Sequence, residues 1–212
     1  MKNNNRATSL VEVLVSMVIL VLWITWTYNI YFRTMHLSES SKNRLTAIEM
    51  AREWIEAVTN IRDTNWLNYW ADYKNCWNVL NYNILCVNDL SSWKDDYDIL
   101  AWSYILDRND DKKWILTTKN TWNYTDTNYR TRFEVKLDTN WFYTQSGWTN
   151  INWPLFTREI VISYEDTNWW LINSNDEKMK IRSLVQWIDS STINVQRVEF
   201  ETILSNWKNR IN

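Results

Sequence analysis

The sequence predicts an α+β protein in which a long N-terminal helix packs on an antiparallel β-sheet. Three observations indicate this fold class: an apolar segment lies near the N-terminus, a segment with helical spacing of apolar residues follows it, and alternating apolar and polar residues recur in the C-terminal half. Alternating runs that are separated by polar turns are typical of antiparallel strands, which bury one face and expose the other.

The apolar segment runs from Ala7 to Phe32 and contains no Lys, Arg or Asp, and one Glu, Glu12. Because roughly 20 apolar residues suffice to cross a hydrocarbon layer, the segment predicts a membrane anchor. Lys2 and Arg6 precede it, and cations on the short N-terminal side predict that this end stays in the cytoplasm while the rest is exported. An ordinary secretory signal fits less well, since no small-residue cleavage pattern follows the apolar run.

A carboxylate inside such a segment costs on the order of 2.5–3.5 kcal/mol at the bilayer centre, so Glu12 calls for a partner. The run ATSLVEVLVSMVIL, which begins at Ala7, resembles the N-terminus of type IV prepilins and pseudopilins. The resemblance implies that a prepilin peptidase cuts between Ala7 and Thr8 and removes a basic leader, residues 1 to 7. It also implies that the new amine of Thr8 is N-methylated and pairs with Glu12 of a neighbouring subunit.

The family usually has Gly before the cut and Phe after it, where this chain has Ala7 and Thr8. The alternative interpretation is an uncleaved signal anchor in which the Glu12 carboxylate reaches the membrane interface.

The helical pattern continues past the membrane segment, residues 8 to 33, into an amphipathic half, residues 34 to 62. The apolar stripe predicted for this half consists of Leu45, Ile48, Ala51, Ile55, Val58 and Ile61. By the resemblance, the first half packs among subunits of a filament, and the second lies on the exported, β-rich head of its own chain, residues 63 to 212. The alternative for the second half is a stalk or coiled coil, although the stripe lasts only about two and a half heptads.

Within the head, residues 63 to 96 are rich in Asn and Asp and predict loops. Polar turns are predicted at residues 138 to 141, 166 to 176 and 189 to 192. The segments between such turns predict strands, the first two as a hairpin and the last two as a final pair. The predicted strands are Tyr97–Leu106, Lys113–Thr118, Thr131–Leu137, Leu155–Tyr164, Met179–Ile188 and Ile193–Leu204.

The two cysteines, Cys76 and Cys86, both fall in the loop-rich part of the head. Because the exported side of a membrane is oxidising, they predict a structural disulfide. The alternative, a redox or metal-binding pair, has neither C-x-x-C spacing nor a nearby His to support it.

Asp107, Asn109 and Asp111 have the D-x-N-x-D spacing of a calcium loop. That motif continues with Gly and a distal Glu, whereas Lys112 follows here and no Glu lies at the right distance. We therefore predict a solvated turn and no metal site.

Composition argues against several functional classes. The net charge is −2 with no basic block outside the leader, so no nucleic-acid partner is indicated. A single histidine, His36, and two cysteines do not supply a metal centre, and no cofactor is predicted. The chain also has no G-x-S-x-G motif or other credible catalytic constellation, so it is not predicted to be an enzyme.

The resemblance instead predicts an assembly subunit, a minor pilin or pseudopilin of a type IV pilus or a type II secretion-like filament. The implied partners are other pilin or pseudopilin subunits, the prepilin peptidase and the cytoplasmic membrane, with the N-terminus inside and the head outside. The alternative is a single-pass membrane-anchored binding module that does not polymerise. Such a module would retain its N-terminus and would have no need of Glu12.

Tryptophan is abundant and glycine almost absent: the chain has 17 Trp and 1 Gly, whereas about 7% of residues in ordinary proteins are Gly. Several Trp follow Asn where a turn would have Gly, as at Asn140-Trp141 and Asn152-Trp153. We therefore predict that most of these positions are Gly in the natural protein, encoded by UGA codons that its lineage reads as Gly. The positions predicted to be true tryptophans, because their neighbours are apolar or strand-like, are Trp66, Trp77, Trp187 and Trp207.

Overall fold

A computed structural model gives the arrangement of the chain. It confirms the predicted α+β class, since a long N-terminal helix packs against a five-stranded antiparallel sheet. The chain divides into two compact units, one ending at Asn43 and the other beginning at Arg44. The residues that the structure describes are 10–87, 98–109, 111–119, 127–137, 143–145, 149–150, 155–164, 178–188 and 194–206.

Helix α1 spans Leu10–Asn68, six residues beyond the end predicted at residue 62. The segment contains neither Pro nor Gly, so no residue in it interrupts the helical hydrogen bonds. The prediction of a loop from residue 63 was wrong for the first residues because tertiary contacts override local preference there. Asn65 is fully buried, its Nδ2 donates to the carbonyl of Val79 at 2.9 Å, and the neighbouring Trp66 is buried as well.

The second half of α1 is amphipathic as predicted, but its buried stripe is rotated relative to the prediction. Ala51, Val58 and Ile61 are buried as expected, whereas Leu45 is 62% exposed. Small side chains take part in the contact, and they let the helix approach the sheet closely. The buried apolar residues of this half are Ala47, Met50, Ala51, Trp54, Ala57, Val58 and Ile61.

The strands of the larger sheet are β1 Ser103–Arg108, β2 Trp114–Thr118, β6 Phe156–Tyr164, β7 Lys178–Ile188 and β8 Val195–Ser205. Their order is β2-β1-β6-β7-β8, and every neighbouring pair of strands is antiparallel. These strands confirm the predicted first hairpin and final pair, and most ends differ by no more than two residues. The predicted start at Tyr97 was wrong, since β1 begins six residues later, at Ser103. Tyr104, Ile160 and Ile181 from three of the strands join Val58 and Ile61 of α1 in the main core cluster.

The predicted strand at Thr131–Leu137 was wrong for most of its length. Its first part belongs to a short helix, α3, at Thr127–Phe133, and only its end forms strand β3, Lys136–Leu137. In this helix Tyr129 and Phe133 lie one turn apart, and their ring centroids are 4.8 Å apart. Both rings pack with Ile105 in a separate buried cluster.

Strand β3 pairs on its two sides with β4, Tyr143–Thr144, and with β5, Thr149–Asn150, in a second sheet of order β4-β3-β5. The turns predicted at residues 138 to 141, 166 to 176 and 189 to 192 lie outside the described residues.

The segment after α1 contains a short helix, α2, at Tyr73–Cys76, and 3-10 turns at Leu80–Tyr82 and Ile84–Cys86. The predicted disulfide between Cys76 and Cys86 is confirmed, with Cα atoms 5.4 Å apart and a sequence separation of 10. Both half-cystines are buried with Val79 in a small cluster. The disulfide therefore fixes a segment that has little core of its own.

Candidate functional site

The first half of α1 presents an exposed apolar surface. Every large apolar side chain from Leu10 to Leu37 is between 45% and 75% exposed. Among the described residues, α1 is the one helix long and apolar enough to cross a membrane. A contiguous apolar surface of this kind is compatible with lipid or with other protein around it.

Several Ser, Thr and Asn side chains within this apolar surface donate hydrogen bonds to carbonyls of the same helix. Ser16 Oγ donates to the carbonyl of Glu12 at 2.7 Å, and Thr27 Oγ1 donates to that of Trp23 at 2.7 Å. Thr25, Asn29 and Thr34 bond in the same way to carbonyls one turn earlier. In an apolar medium an unpaired polar group is costly, so these bonds make the surface compatible with lipid. Sequence reasoning missed this feature, although the spacing of Ser and Thr in the apolar run is its signal.

Glu12 lies in the first turn of α1, and its side chain is exposed. A carboxylate in the first turn is favourable because the N-terminal end of a helix carries partial positive charge. The described residues place no cation of the same chain beside Glu12. The predicted cleavage residues, Ala7 and Thr8, lie outside the described residues. His36 lies on α1 and contacts the ring of Phe32 at 4.9 Å.

The head contains buried charged and polar side chains that the sequence analysis did not identify. Arg158 on β6 is 1% exposed, and its Nη1 donates to Glu53 Oε2 on α1 at 3.1 Å. Burial lowers the pKa of Arg158 to about 10, and the negative charge of Glu53 opposes that shift. On the next residue, the buried Glu159 accepts a hydrogen bond from Tyr129 Oη at 2.8 Å. The adjacent Arg and Glu inside the apolar run LFTREIVISY were the signal for these contacts.

Arg158 and Glu159 do not combine into a catalytic site, because consecutive residues of a strand point to opposite faces of the sheet. Each has a partner from a different element: α1 for Arg158 and α3 for Glu159. We interpret the Arg158–Glu53 and Glu159–Tyr129 contacts as structural. They join helices α1 and α3 to the central strand β6.

A cleft of about 200 Å³ lies beside α3 at one end of β6, β7 and β8. Among the described residues that line it, Arg130 is the one charged side chain. No nucleophile paired with a base is found in that described lining. The lining residues are Tyr129, Arg130, Leu155, Thr157, Gln186, Trp187, Ile188 and Val195.

The turn that resembles a calcium loop uses its side chains for internal hydrogen bonds. Asp107 Oδ1 accepts from Thr144 Oγ1 at 2.7 Å, and Asn109 Oδ1 accepts from the amide of Lys113 at 2.8 Å. The part of the chain that the structure describes contains no group of three or more candidate metal ligands.

The tryptophans differ widely in exposure. Trp66, Trp77 and Trp187, predicted to be true tryptophans, are buried. Trp54, one of the predicted glycine positions, is also fully buried, and the Arg158 guanidinium lies 4.0 Å from its ring centroid. Burial therefore does not distinguish the predicted true tryptophans from the predicted glycine positions. The predicted glycine positions with side chains at least 48% exposed are Trp23, Trp26, Trp70 and Trp102.

Comparisons of this chain with protein-family models, with curated proteins and with solved structures found no match.

Proposed function

We propose that this chain is a structural subunit, a minor pilin or pseudopilin, of a type IV pilus or a related secretion filament. The observation that carries the proposal is the first half of α1. Its apolar side chains are uncovered, Ser16, Thr25, Thr27 and Thr34 bond to carbonyls of the same helix, and one carboxylate, Glu12, lies in its first turn. A helix of this kind suits a membrane before assembly and a bundle of like helices after it.

Assembly would give Glu12 a partner of opposite charge, which the described part of its own chain does not place beside it. After cleavage, the amine of Thr8 on a neighbouring subunit would be a cation at the same end of a parallel helix. Each charge would offset the cost of desolvating the other. In this proposal the N-terminus lies on the cytoplasmic side, and the head lies on the exported side, where the Cys76–Cys86 disulfide is stable.

The head contributes no chemistry in this proposal. The second half of α1 buries its stripe against the five-stranded sheet, and the disulfide fixes the segment that follows. The head would therefore be a rigid body that a filament displays. Its size, residues 63 to 212, favours a minor or tip subunit over the main repeating one.

N-terminal sequencing of the protein isolated from membranes tests the proposal. We expect the mature chain to start at Thr8, with or without a methyl group on its amine. A mature chain that starts at Met1 or Lys2 would falsify the proposal and favour the anchored binding module. Ala7→Leu should block cleavage because a bulky residue replaces a small one at the cut, whereas Asn5→Leu, two residues earlier, should leave cleavage unchanged.

A further inference from the structure

The two outer strands of the five-stranded sheet, β2 and β8, differ in whether a described residue hydrogen-bonds to their outer edge. At β2 the side chain of Asn81 closes the edge: its Nδ2 donates to the carbonyl of Leu116 at 3.1 Å, and its Oδ1 accepts from the amide of Leu116 at 2.9 Å. At the other side, β8 pairs with β7 along all 11 of its residues, and no described residue pairs with its second edge. Strand β8 also contains no Pro or Gly to interrupt that edge.

We propose that the free edge of β8 pairs antiparallel with β8 of a second copy of this chain, with Glu199 of one copy opposite Glu199 of the other. The two sheets would then continue as one across a twofold axis. This proposal does not depend on the proposed function, and β8 contains none of the tryptophans whose identity is in question.

The exposed face of β8 is complementary to itself in this register. Arg197 of each copy lies opposite Glu201 of the other, which gives two pairs of opposite charge. Val195 of each copy likewise lies opposite Ile203 of the other. These two side chains are 54% and 47% exposed, so pairing would cover apolar surface that now faces solvent. Cross-strand pairs of both kinds stabilise antiparallel sheets.

The opposite face of β8 is also complementary. Val198 and Phe200 are partly buried against the cluster that contains Val185 and Trp187. In the proposed register Val198 of each copy lies opposite Phe200 of the other. Pairing would therefore extend an apolar cluster that each copy already has.

One contact is unfavourable, because Glu199 meets Glu199 at the twofold axis. The Arg182 guanidinium lies 3.6 Å from the Glu199 carboxylate in each copy and offsets this repulsion. A register centred on Phe200 is worse, because it sets Glu199 against Glu201 twice. A register centred on Val198 also pairs opposite charges, Arg197 with Glu199, but it sets Val195 against Glu201. Within β8 it keeps one apolar pair, Val198 with Val198, in place of the Val195–Ile203 and Val198–Phe200 pairs.

A single pair of strands makes a small interface, so we expect a weak, reversible dimer that a covalent crosslink can capture. The test uses the purified full-length chain in detergent, whose two native cysteines are already bonded to each other. Directly opposite residues of antiparallel strands have Cβ atoms about 4.5–5.5 Å apart, close enough for a disulfide after small adjustment.

Under mild oxidation we expect Glu199→Cys to form a crosslinked dimer. Ile203→Cys alone should not, because residue 203 of one copy lies eight positions from residue 203 of the other, roughly 26 Å along the strand. A mixture of Val195→Cys and Ile203→Cys chains should crosslink to each other. Failure of Glu199→Cys to crosslink, or equal crosslinking by Ile203→Cys alone, would overturn the proposal, and a dimer through Val198→Cys instead would overturn its register.

Charge reversal gives an independent readout. Arg197→Glu, added to Glu199→Cys, should slow crosslinking about tenfold, since it turns two opposite-charge pairs into like-charge pairs. Lys112→Glu makes the same change in net charge in the turn between β1 and β2, and should leave the rate unchanged. Equal rates for the two charge variants would overturn the proposed pairing of Arg197 with Glu201.

Discussion

The guanidinium of Arg158, on the central strand β6, donates a hydrogen bond to the carboxylate of Glu53, on helix α1, across 3.1 Å. The Arg158 side chain is 1% exposed, whereas that of Glu53 is 40% exposed, so the pair lies at the margin of the helix–sheet contact. Arg158 Nε has no hydrogen-bond partner among the described residues. Glu53 is therefore the main charge partner of the buried cation, and Asp107 makes a smaller favourable contribution.

Removal of Glu53 should destabilise the head. We expect Glu53→Ala to lower the free energy of unfolding by about 2 kcal/mol, less than for a fully buried pair because water reaches Glu53. Glu56→Ala, one turn along the exposed face of the same helix, should change it by less than about 0.5 kcal/mol. Urea unfolding followed by circular dichroism measures both. A Glu53→Ala variant as stable as Glu56→Ala would show that the ion pair contributes nothing.

Replacement of Arg158 tests the cost of burying its charge. Because burial lowers the pKa of Arg158, the charged form is disfavoured in the folded state. Arg158→Met keeps much of the apolar volume and removes the charge, so we expect stability within about 1 kcal/mol of the parent chain. In that background Glu53→Ala should have almost no further effect, and a double-mutant cycle checks this expectation.

The pH dependence of stability at alkaline pH should depend on Tyr104. Its hydroxyl accepts from the amide of Leu100 at 2.8 Å and donates to the carbonyl of Leu100 at 3.0 Å, and burial raises the pKa of Tyr104 above 10.0. Above about pH 10 the unfolded chain loses a proton that the folded state keeps, so stability falls as pH rises. Burial also raises the pKa of Tyr69 and of Tyr82, which adds to this fall.

Arg158 acts in the opposite direction. Its folded-state pKa is lowered, so between about pH 10 and its unfolded value the unfolded chain binds more protons, and stability gains from a rise in pH.

The variant Tyr104→Phe tests the contribution of the Tyr104 hydroxyl. It should lower stability at neutral pH by about 1–2 kcal/mol, because it loses two hydrogen bonds. It should also show a shallower fall between about pH 9 and about pH 11 than the parent chain. Parallel slopes for the two proteins in denaturant titrations would contradict this assignment.

The disulfide should stabilise the segment after α1. Cys76 and Cys86 enclose a short loop, so replacing both with Ala should lower the free energy of unfolding by about 2–3 kcal/mol. Added reductant should weaken the parent chain to a similar extent and leave the double variant unchanged. Denaturant titrations with and without reductant make the comparison, and a response of the double variant to reductant would show an effect unrelated to this bond.

The sequence predicted the features that depend on local periodicity. The apolar start of α1 and the β1–β2 and β7–β8 pairs follow from spacing along the chain, and the structure has them. The sequence could not predict contacts between residues that are distant along the chain, such as Asn65 with Val79 or Arg158 with Glu53. At Thr131–Leu137 an alternating pattern was mistaken for a strand, because the spacing of Tyr129 and Phe133 fits a helix equally well.

Glycine at most Trp positions would change the mass of the natural protein. Of 17 Trp, four are predicted to be true, which leaves 13 candidate glycines, and with Gly147 these give 14 glycines in 212 residues, close to the usual share of about 7%. We expect peptide mass spectrometry of the natural protein to find Gly at exposed positions such as Trp70 and Trp102, and Trp at Trp66 and Trp77. Trp at all 17 positions would refute the recoding hypothesis without affecting the arguments from Glu12 or from β8.

Glu12 should be needed for assembly and not for membrane insertion. Glu12→Ala removes a charge from an apolar helix, so the chain should remain in the membrane fraction. It should enter filaments about tenfold less often or worse, because the amine of Thr8 on the next subunit would lose its counter-charge. Ser16→Ala, one turn later, removes the hydroxyl that bonds to the Glu12 carbonyl and leaves the charge unchanged, so it should assemble nearly normally. The ratio of filament-borne to membrane-borne protein measures both variants, and normal assembly of Glu12→Ala would refute the paired-charge account.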